Sequence, residues 1–224
     1  MATALIIGAS RGIGRELARQ YRADNWRVIA TARKQQDLDE LTALGCEAMS
    51  LDVTSVTDCA AFAWKIEDES LDVAVLNAGV YGPRKNGLDA PTEEEFTDVM
   101  QTNVLAAMRL LPVIAPHVAR VRGRLAVTSS KMGSISMRTD SGGWIYRASK
   151  AALNSVLVDT SLSAPAAGAI CVAYHPGWVR TDMGGAGADL PVEQSVAGIR
   201  AMLAKLTAAD NGTFFNYDGA PLSW

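Results

Sequence analysis

The chain has 224 residues, of which 49% are hydrophobic and 20% charged, and its formal net charge is −3. A chain of this size buries about 70% of its unfolded surface, so disordered and collagen-like classes are excluded and one domain over residues 1–224 is expected. Because there is no basic excess, nucleic acid and anionic membranes are disfavoured as partners, and a small-molecule ligand is favoured.

The three cysteines, Cys46, Cys59 and Cys171, are scattered and form no CxxC pair. This pattern argues against a disulfide framework and against a metal site, and it predicts a reducing compartment. The first apolar run, residues 4–7, is too short for a signal peptide, and no later stretch reaches the ~18 uninterrupted apolar residues of a membrane span. We therefore expect a cytoplasmic protein without a membrane partner.

Short apolar runs alternate with longer amphipathic segments, a pattern typical of β-α-β units. The predicted strands cover residues 2–7, 26–31, 46–50, 71–76, 124–129, 169–175 and 213–216. The predicted helices cover residues 13–24, 35–43, 56–67, 93–119, 147–163 and 192–207. Right-handed crossovers between these strands predict an α/β fold, a doubly wound Rossmann sheet of seven parallel strands in three layers, with ligands at the carboxyl ends of the strands.

A glycine-rich piece, Gly184-Gly185-Ala186-Gly187, follows the sixth predicted strand. Successive glycines leave the backbone many accessible conformations. The surrounding segment, residues 182–191, is therefore interpreted either as a lid over a substrate or as a plain connector.

The first predicted strand leads into a glycine-rich turn, Gly8-Ala9-Ser10-Arg11-Gly12-Ile13-Gly14, which opens a predicted helix. Glycines allow the backbone to turn sharply and to approach a pyrophosphate, whose charge is stabilised by the N–H groups and the dipole at the helix start. Because the preceding strand, the following helix and the β-α-β continuation are all present, the turn predicts a dinucleotide site rather than an incidental glycine turn.

The second predicted strand ends without the acidic residue that commonly binds the ribose 2′-hydroxyl of NAD. The sequence there reads Thr31-Ala32-Arg33-Lys34, and Arg11 lies in the glycine turn. Since guanidinium and ammonium groups bind phosphate, these cations predict NADP(H) in preference to NAD(H). The alternative is that Arg33 and Lys34 only form a solvated helix start.

Tyr146 and Lys150 stand four residues apart, which places them on one face of a helix. An ammonium beside a phenol lowers the phenol pKa from about 10 towards neutrality, where the hydroxyl can exchange a proton with a carbonyl oxygen. Thr128-Ser129-Ser130 ends the fifth predicted strand and offers hydroxyl groups at the same edge of the sheet. On its own, that tripeptide is also typical of a hydrophilic strand end.

In this order, the motifs resemble the short-chain dehydrogenase/reductase family across nearly the whole chain. The resemblance depends on the glycine turn (TGxxxGxG in the family), Asn77-Ala78-Gly79 (NAG), Ser130 with Tyr146 and Lys150, and His175-Pro176-Gly177 (PG). It implies that Ser130 orients the substrate carbonyl, that Tyr146 is the general acid, and that Lys150 tunes Tyr146 and binds the nicotinamide ribose. It also implies that Asn103 lies in a kinked helix and supports a water and proton relay through Lys150.

The same resemblance implies a set of cofactor contacts. Asp52, with Val53 beside it, would contact adenine, and Asn77, Ala78 and Gly79 would line the middle of the cofactor. The nicotinamide end would be bound by Pro176, Gly177, Val179 and Thr181, of which Thr181 would hold the carboxamide. Taken alone, Asp52 is more typical of a helix cap, and His175 of a packed core residue.

The chain departs from the family pattern at two places. Ile7 replaces the threonine that usually precedes the glycine turn, and Ser130 and Tyr146 are a few residues further apart than is common. With Gly142-Gly143-Trp144 and the ending Phe214-Phe215-Asn216-Tyr217-Asp218-Gly219, the chain is most similar to the branch of the family that contains C-factor and sniffer-type carbonyl reductases.

The motif positions also suggest an apolar substrate pocket, which suits a hydrophobic aldehyde or ketone. Its candidate residues are Tyr81, Met132, Trp144, Trp178 and Met183. Ordinary core and loop packing is the alternative for each of them. No arginine pair indicates a dicarboxylate or phosphate substrate, although Arg84, Lys85 and Lys131 leave an anionic substrate open.

The leading functional hypothesis is an NADPH-dependent enzyme that transfers hydride to a small carbonyl compound while Tyr146 protonates the oxygen. The alternative is a cofactor-binding signalling or regulatory protein that acts through a partner, as the resemblance to C-factor allows. A non-enzymatic scaffold is disfavoured, because all four chemical positions of the family are filled. The family further implies a homodimer or homotetramer formed through the helices that begin near residues 93 and 147.

Overall fold

A computed structural model describes residues 1–84, 88–163, 166–185 and 187–224. Its centre is one sheet of seven parallel strands in the order β3-β2-β1-β4-β5-β6-β7. The strands are β1 Thr3–Ile7, β2 Arg27–Ala32, β3 Glu47–Ser50, β4 Val73–Leu76, β5 Arg124–Thr128, β6 Ile170–His175 and β7 Thr213–Asn216. The doubly wound α/β prediction is therefore confirmed, and each strand ends within two residues of its predicted bounds. The strand order reverses between β1 and β4, which places the ligand crevice of such a sheet there.

Helices cover both faces of the sheet. They are α1 Gly12–Ala23, α2 Gln35–Ala43, α3 Val56–Lys65, α4 Glu93–Met100, α5 Ala106–Ala119, α6 Trp144–Leu162 and α7 Val192–Lys205. Side chains alternate along β1, so Leu5 and Ile7 pack with α3, α5 and α6, whereas Ala4 and Ile6 pack with α1, α2 and α7. The result is the predicted three-layer arrangement.

Two helix predictions needed correction. The single helix predicted over residues 93–119 is interrupted by a wider, π-helical turn at Gln101–Leu105. The helix predicted to begin at residue 147 begins at Trp144, because Gly143 adopts a left-handed conformation with φ 66° and turns the chain directly into the helix. The earlier start brings Tyr146 into the first turn of α6.

The helical stretch Glu93–Ala119 is long and apolar enough to cross a membrane, with a mean hydropathy of 1.2 over its most apolar window. In this structure 56% of that window is buried. The buried residues of α5 pack on the sheet and against α6, among them Leu110 and Leu111 at 0% exposure. A core helix of this kind passes the same test of length and composition.

Burial predicts very different stability effects for two positions of α5. We expect Leu110→Ala to lower the free energy of unfolding by about 2–5 kcal/mol, because the side chain is fully buried and its removal leaves a cavity. Met108 is 53% exposed, so Met108→Ala should change it by less than about 0.5 kcal/mol. Urea denaturation measures both variants, and equal losses would contradict the assignment of the two faces of α5.

Candidate active site and cofactor cleft

The glycine turn between β1 and α1 packs tightly against the loop after β4. A Cβ atom on Gly8, whose φ is +84°, would lie 2.8 Å from the backbone of Ala78. A Cβ on Gly14 would lie 2.1 Å from the Gly8 carbonyl oxygen and 2.7 Å from the Asn77 amide nitrogen. Only glycine fits either position, so the backbone is free of side chains where a pyrophosphate would approach.

The start of α1 suits an anion. Arg11, its N-cap, makes no side-chain capping bond, and the first turn has no acidic residue. The N–H groups of that turn are therefore available, with the positive end of the helix dipole behind them. Ser10 and Ile13, which lie within the glycine turn, belong to the same predicted set of cofactor contacts. These features fit a dinucleotide phosphate.

Two side chains hold the turn in place. The Asn77 amide donates to the Gly8 carbonyl oxygen at 2.9 Å, and the Gly8 N–H donates to the Thr31 hydroxyl at 3.1 Å. Sequence reasoning considered Thr31 only as a neighbour of the ribose. The signal in the sequence was Ile7, which has no hydroxyl group. The Gly8 N–H therefore takes its hydroxyl partner from the adjacent strand β2, where Thr31 lies.

At the adenosine end, Asp52 accepts hydrogen bonds from the Thr54 N–H at 2.9 Å and the Thr54 hydroxyl at 2.7 Å. Partial burial opposes ionisation of this carboxyl, but the two bonds and the charge of Arg33 keep its pKa below the usual value. Ser55, not Asp52, caps α3 by accepting from the Asp58 N–H. The helix-cap alternative for Asp52 is therefore wrong, while Val53, beside it, is buried.

The predicted cations lie in different surroundings. Arg33 is exposed directly after β2, beside Asp52, where it bears on the pKa of that carboxyl. Arg11 pairs at 2.8 Å with Asp182 of the loop after β6, and both side chains are largely exposed. Arg33 thus lies exposed just after β2, and Arg11 forms an ion pair with the loop after β6.

Asn103 lies in the π-helical turn and connects two parts of the site. Its amide accepts from the Val80 N–H and donates to the Val80 carbonyl oxygen, both at 2.8 Å, and donates to the Ser149 hydroxyl at 2.9 Å. A Cβ on Gly79 would lie 3.2 Å from Asn103 Oδ1 and 3.3 Å from Lys150 Nζ. The π turn therefore brings the Asn103 amide close to the Lys150 ammonium. Ser149 is a member of this network that sequence reasoning did not identify.

Tyr146 and Lys150 meet in the same place. Lys150 Nζ lies 5.7 Å from the centre of the Tyr146 ring and donates to the Thr128 carbonyl oxygen at 2.8 Å. Both side chains are buried. Ser130, also buried, precedes a short 3-10 turn at Lys131–Gly133, and its hydroxyl accepts from the Met132 N–H at 3.1 Å.

The pKa of Tyr146 differs from the expected lowering towards neutrality. Burial raises it to about 12; the Ser130 hydroxyl opposes this rise, and Tyr81 adds to it. The Tyr81 ring stacks on the Tyr146 ring with 4.7 Å between centres. The Lys150 ammonium points at a backbone carbonyl rather than at the phenol, and burial lowers its own pKa to about 8. With this raised pKa the Tyr146 phenol keeps its proton at neutral pH.

The loop after β6 forms the opposite wall. Gly177, with φ +85°, packs against Leu190 and Tyr217, and the buried Ser195 hydroxyl of α7 donates to the Pro176 carbonyl oxygen at 2.6 Å. A Cβ on Gly12 would lie 3.2 Å from the Thr181 methyl, so this wall reaches the glycine turn. Val179 is buried beside it. The predicted nicotinamide residues therefore share one wall, and Ser195 is a support that the sequence did not indicate.

These walls enclose a cleft of about 530 Å³. Of the predicted pocket residues, Tyr81, Met132, Trp178 and Met183 line it. Trp144 does not line it, which corrects that prediction: as the first residue of α6 it points away, and its indole donates to the Asp89 carbonyl oxygen at 3.1 Å.

His175 also lines the cleft, although the sequence suggested a core residue. Its Nδ1 is buried and has no hydrogen-bond partner in the part of the chain that the structure describes. Burial, helped by the charge of Lys131, lowers the pKa of His175 to about 4, so the ring is neutral at pH 7.

The segment 182–191 follows the same wall, and two backbone hydrogen bonds join its flanks: the N–H groups of Arg180 and Leu190 donate to the carbonyl oxygens of Leu190 and Trp178. Two residues named in the sequence predictions, Lys85 and Ala186, lie outside the described residues. Within the described ranges no group of His, Cys, Asp or Glu side chains could hold a metal ion, and the three cysteines are buried and free.

Comparison with known proteins agrees with this geometry. The family model for short chain dehydrogenases matches residues 2–189. C-signal of Myxococcus xanthus is 36% identical over 168 residues, which cover 73% of this chain and 99% of that protein. The structure of the carbonyl reductase Sniffer of D. melanogaster superposes with a TM-score of 0.92 at 30% identity, covering all of both chains. A carbonyl reductase from Pseudomonas aeruginosa PAO1 in complex with NADP superposes with a TM-score of 0.87 at 33% identity, again over all of both chains. The chain belongs to the short-chain dehydrogenase/reductase family, in its carbonyl reductase branch.

Proposed function

We propose that the protein uses NADPH to reduce a small aldehyde or ketone to the alcohol. The observation that carries this proposal is that Ser130 and Tyr146 line one cleft at the sheet edge where the glycine turn lies, with Lys150 buried beside Tyr146. The structural likeness to Sniffer and to an NADP-bound carbonyl reductase supports it. The test is NADPH oxidation with a panel of aromatic and aliphatic aldehydes, ketones and quinones. Failure of every substrate, with a preparation that binds NADPH, would contradict the proposal.

NADPH would supply the hydride, and the chain's own residues would handle the substrate oxygen. With a pKa raised to about 12, the Tyr146 phenol keeps its proton throughout the physiological range. It is therefore loaded as a general acid for an oxygen that gains negative charge. The neighbouring Ser130 hydroxyl orients and stabilises the same oxygen.

After proton transfer, Tyr146 must regain its proton. We assign this role to Lys150, whose ammonium lies 5.7 Å from the centre of the Tyr146 ring. We assign the extension of the relay to Asn103, because its amide approaches Lys150 across Gly79. Lys150 would also bind the nicotinamide ribose. The two hydrogen bonds of Asn103 to Val80 keep the amide in one orientation, which would keep it aligned for this relay.

The lowered pKa of Lys150 predicts a pH dependence. Below pH 8 the amine of the free enzyme is charged, and above it the charge is lost. We expect kcat/KM for NADPH to fall as pH rises through about 8, because kcat/KM follows the protonation of the free enzyme. In Lys150→Arg the guanidinium stays charged, so the fall should move to higher pH. An unchanged profile in Lys150→Arg would show that another group titrates.

We propose NADP(H) as the preferred cofactor, because Arg33 follows β2 where an acidic residue would favour NAD(H). Replacing Arg33 by Asp should lower kcat/KM for NADPH by at least about tenfold and raise it for NADH, since a carboxylate repels the 2′-phosphate and accepts from a 2′-hydroxyl. The exposed Lys65, remote in α3, gives the control Lys65→Asp. An unchanged NADPH/NADH ratio in Arg33→Asp would contradict the assignment.

A second candidate function is signalling through a protein partner. It is favoured by the 36% identity to C-signal over nearly all of that protein. A purely regulatory protein has no need of Tyr146, Lys150, Ser130 and Asn103 together, so we rank it below the enzyme. NADPH-dependent capture of a partner by both the wild type and Tyr146→Phe, with no carbonyl turnover by either, would reverse this order.

We also propose a homodimer or homotetramer. Large apolar side chains remain exposed on α4 and on the π-helical turn, where Phe96 is 50% and Leu105 36% exposed. Exposed apolar side chains of this size are found at interfaces. Sedimentation at working concentration would detect the assembly, and a monomer would contradict it.

We propose a reducing, cytoplasmic location, which the buried, free cysteines support. We also propose that residues 182–191 act as a lid over the substrate.

A further inference from the structure

We infer that the substrate carries an anionic group in addition to its carbonyl, and that Lys131 and Arg84 select it. This inference rests on the proposed reductase function and names its substrate class. The expected substrate is then not simply hydrophobic. It is a carbonyl compound with an apolar middle and a carboxylate or phosphate group.

The first support is the local charge. Among the residues that the structure describes, four charged side chains line the cleft: Arg84, Lys131, Asp140 and Arg147. Arg147 is buried, pairs with Asp140 and donates to the Gly142 carbonyl oxygen, so this pair is satisfied within the protein. That leaves two positive charges in the cleft of a chain whose net charge is −3.

Among the described residues, no Asp or Glu lies within ion-pair distance of Lys131 or Arg84. By contrast, Arg11 and Arg147 pair with Asp182 and Asp140. His175 adds no charge, because burial keeps the ring neutral at pH 7. An anion in the cleft would therefore meet positive charge without displacing a protein carboxylate.

Lys131 is placed beside the reacting group. It directly follows Ser130 and begins the 3-10 turn Lys131–Gly133. Its positive charge contributes to the lowered pKa of His175 at the end of the neighbouring strand, so it acts at the carboxyl ends of β5 and β6, where both residues line the cleft. Its exposed ammonium can meet a substrate group that extends beyond the carbonyl.

Arg84 is held more rigidly. Its guanidinium lies over the Tyr81 ring, 4.9 Å from the centre, and Nη2 donates to the Met183 carbonyl oxygen at 2.7 Å. Tyr81 in turn stacks on Tyr146. Among the described residues, the N–H groups of this guanidinium other than the Nη2 bond have no partner. The group lies on the Tyr81 ring, which stacks on the Tyr146 phenol. A planar guanidinium can bind carboxylate or phosphate through two parallel hydrogen bonds.

The cofactor phosphates do not account for these two cations. The backbone suited to a pyrophosphate lies at the glycine turn between β1 and α1, and Arg33 follows β2. Arg84 and Lys131 follow β4 and β5 and share the cleft with Tyr146. They lie at the chemical end of the site.

The test compares 4-formylbenzoate with its uncharged methyl ester, which presents a similar aromatic aldehyde. We expect wild-type kcat/KM to favour the acid, and the preference to weaken as salt is added. Lys131→Gln and Arg84→Gln should each lower the acid-to-ester ratio about fivefold, the effect of one partly exposed charge. Lys65→Gln, at an exposed lysine remote from the cleft, should leave the ratio unchanged. An ester reduced as well as the acid, with the same ratio in Lys131→Gln, would overturn the inference.

A binding measurement separates this inference from the reductase proposal. Calorimetric titration of the NADP⁺-loaded protein with 4-(hydroxymethyl)benzoate and its methyl ester needs no turnover. If the acid binds more tightly than the ester, and this difference is smaller in Lys131→Gln, charge selection is supported. It is supported even if neither aldehyde is reduced, because the lack of turnover would count only against the reductase proposal. Equal binding of acid and ester would overturn the inference whether or not the aldehydes are reduced.

Discussion

Replacing Tyr146 by phenylalanine is expected to lower kcat for carbonyl reduction by about 10²–10⁴-fold, the contribution of a positioned general acid. The variant removes one hydroxyl and keeps the ring that stacks on Tyr81 with 4.7 Å between centres. Packing around α6 should therefore be unchanged. NADPH binding should persist, because the glycine turn is not altered. Initial rates with NADPH, together with a fluorescence titration of the cofactor, measure both properties.

Tyr81→Phe is the matched control for this experiment. It removes the other phenol of the stacked pair and also keeps its ring, so general effects of losing a hydroxyl in the cleft appear in both variants. We expect its kcat to stay within about threefold of wild type, a change of less than 1 kcal/mol in activation free energy. Equal activity of Tyr146→Phe and wild type would exclude Tyr146 as the acid. A severe loss in Tyr81→Phe would move that role to Tyr81 or to the pair.

Gly14→Ala is expected to weaken NADPH binding at least about tenfold and to lower the free energy of unfolding by about 1–3 kcal/mol, the usual effect of overpacking. The added Cβ would lie 2.1 Å from the Gly8 carbonyl oxygen and 2.7 Å from Asn77 Nδ2. The glycine turn would have to move away from the loop after β4, and the Asn77 bond that holds it would break. Cofactor titration and thermal denaturation test the two effects.

Gly187→Ala controls for the substitution itself. The nearest atom to its Cβ would be a Trp178 ring carbon at 3.7 Å, an ordinary contact, so stability should change by less than about 0.5 kcal/mol. Normal NADPH affinity in Gly14→Ala would show that the turn does not need its close packing to bind the cofactor. A similar loss in Gly187→Ala would instead indicate a general cost of replacing glycine near the cleft.

Features of the site that depend on local sequence were predictable. The turn from Gly8 to Gly14 needs only a strand, glycines and a helix start, which are adjacent in the chain. The i, i+4 spacing of Tyr146 and Lys150 determines a shared helix face wherever the helix begins. The doubly wound parallel sheet followed from alternating strands and helices with right-handed crossovers. The family motifs added Ser130 and Asn103. No local pattern indicates that Ser130 lies beside Tyr146 and Asn103 beside Lys150.

Other features depend on contacts between distant parts of the chain. The Val80 backbone meets the Asn103 amide only because a π turn faces the loop after β4. Trp144 points away from the cleft because α6 begins at that residue. His175, at the end of β6, lines the cleft. No pattern of neighbouring residues encodes such pairings, since each joins separate elements.

By itself, the sequence determined the fold class, the glycine turn, and the identities of the groups that can exchange a proton. Only the tertiary structure decided their electrostatic state. The expected lowering of the Tyr146 pKa was wrong, because burial raises this pKa and the Lys150 ammonium donates to the Thr128 carbonyl oxygen instead of to the phenol. The burial of a side chain, and whether a charge such as that of Lys131 meets an opposite charge, depend on all the groups around it. Those groups come together only when the chain has folded.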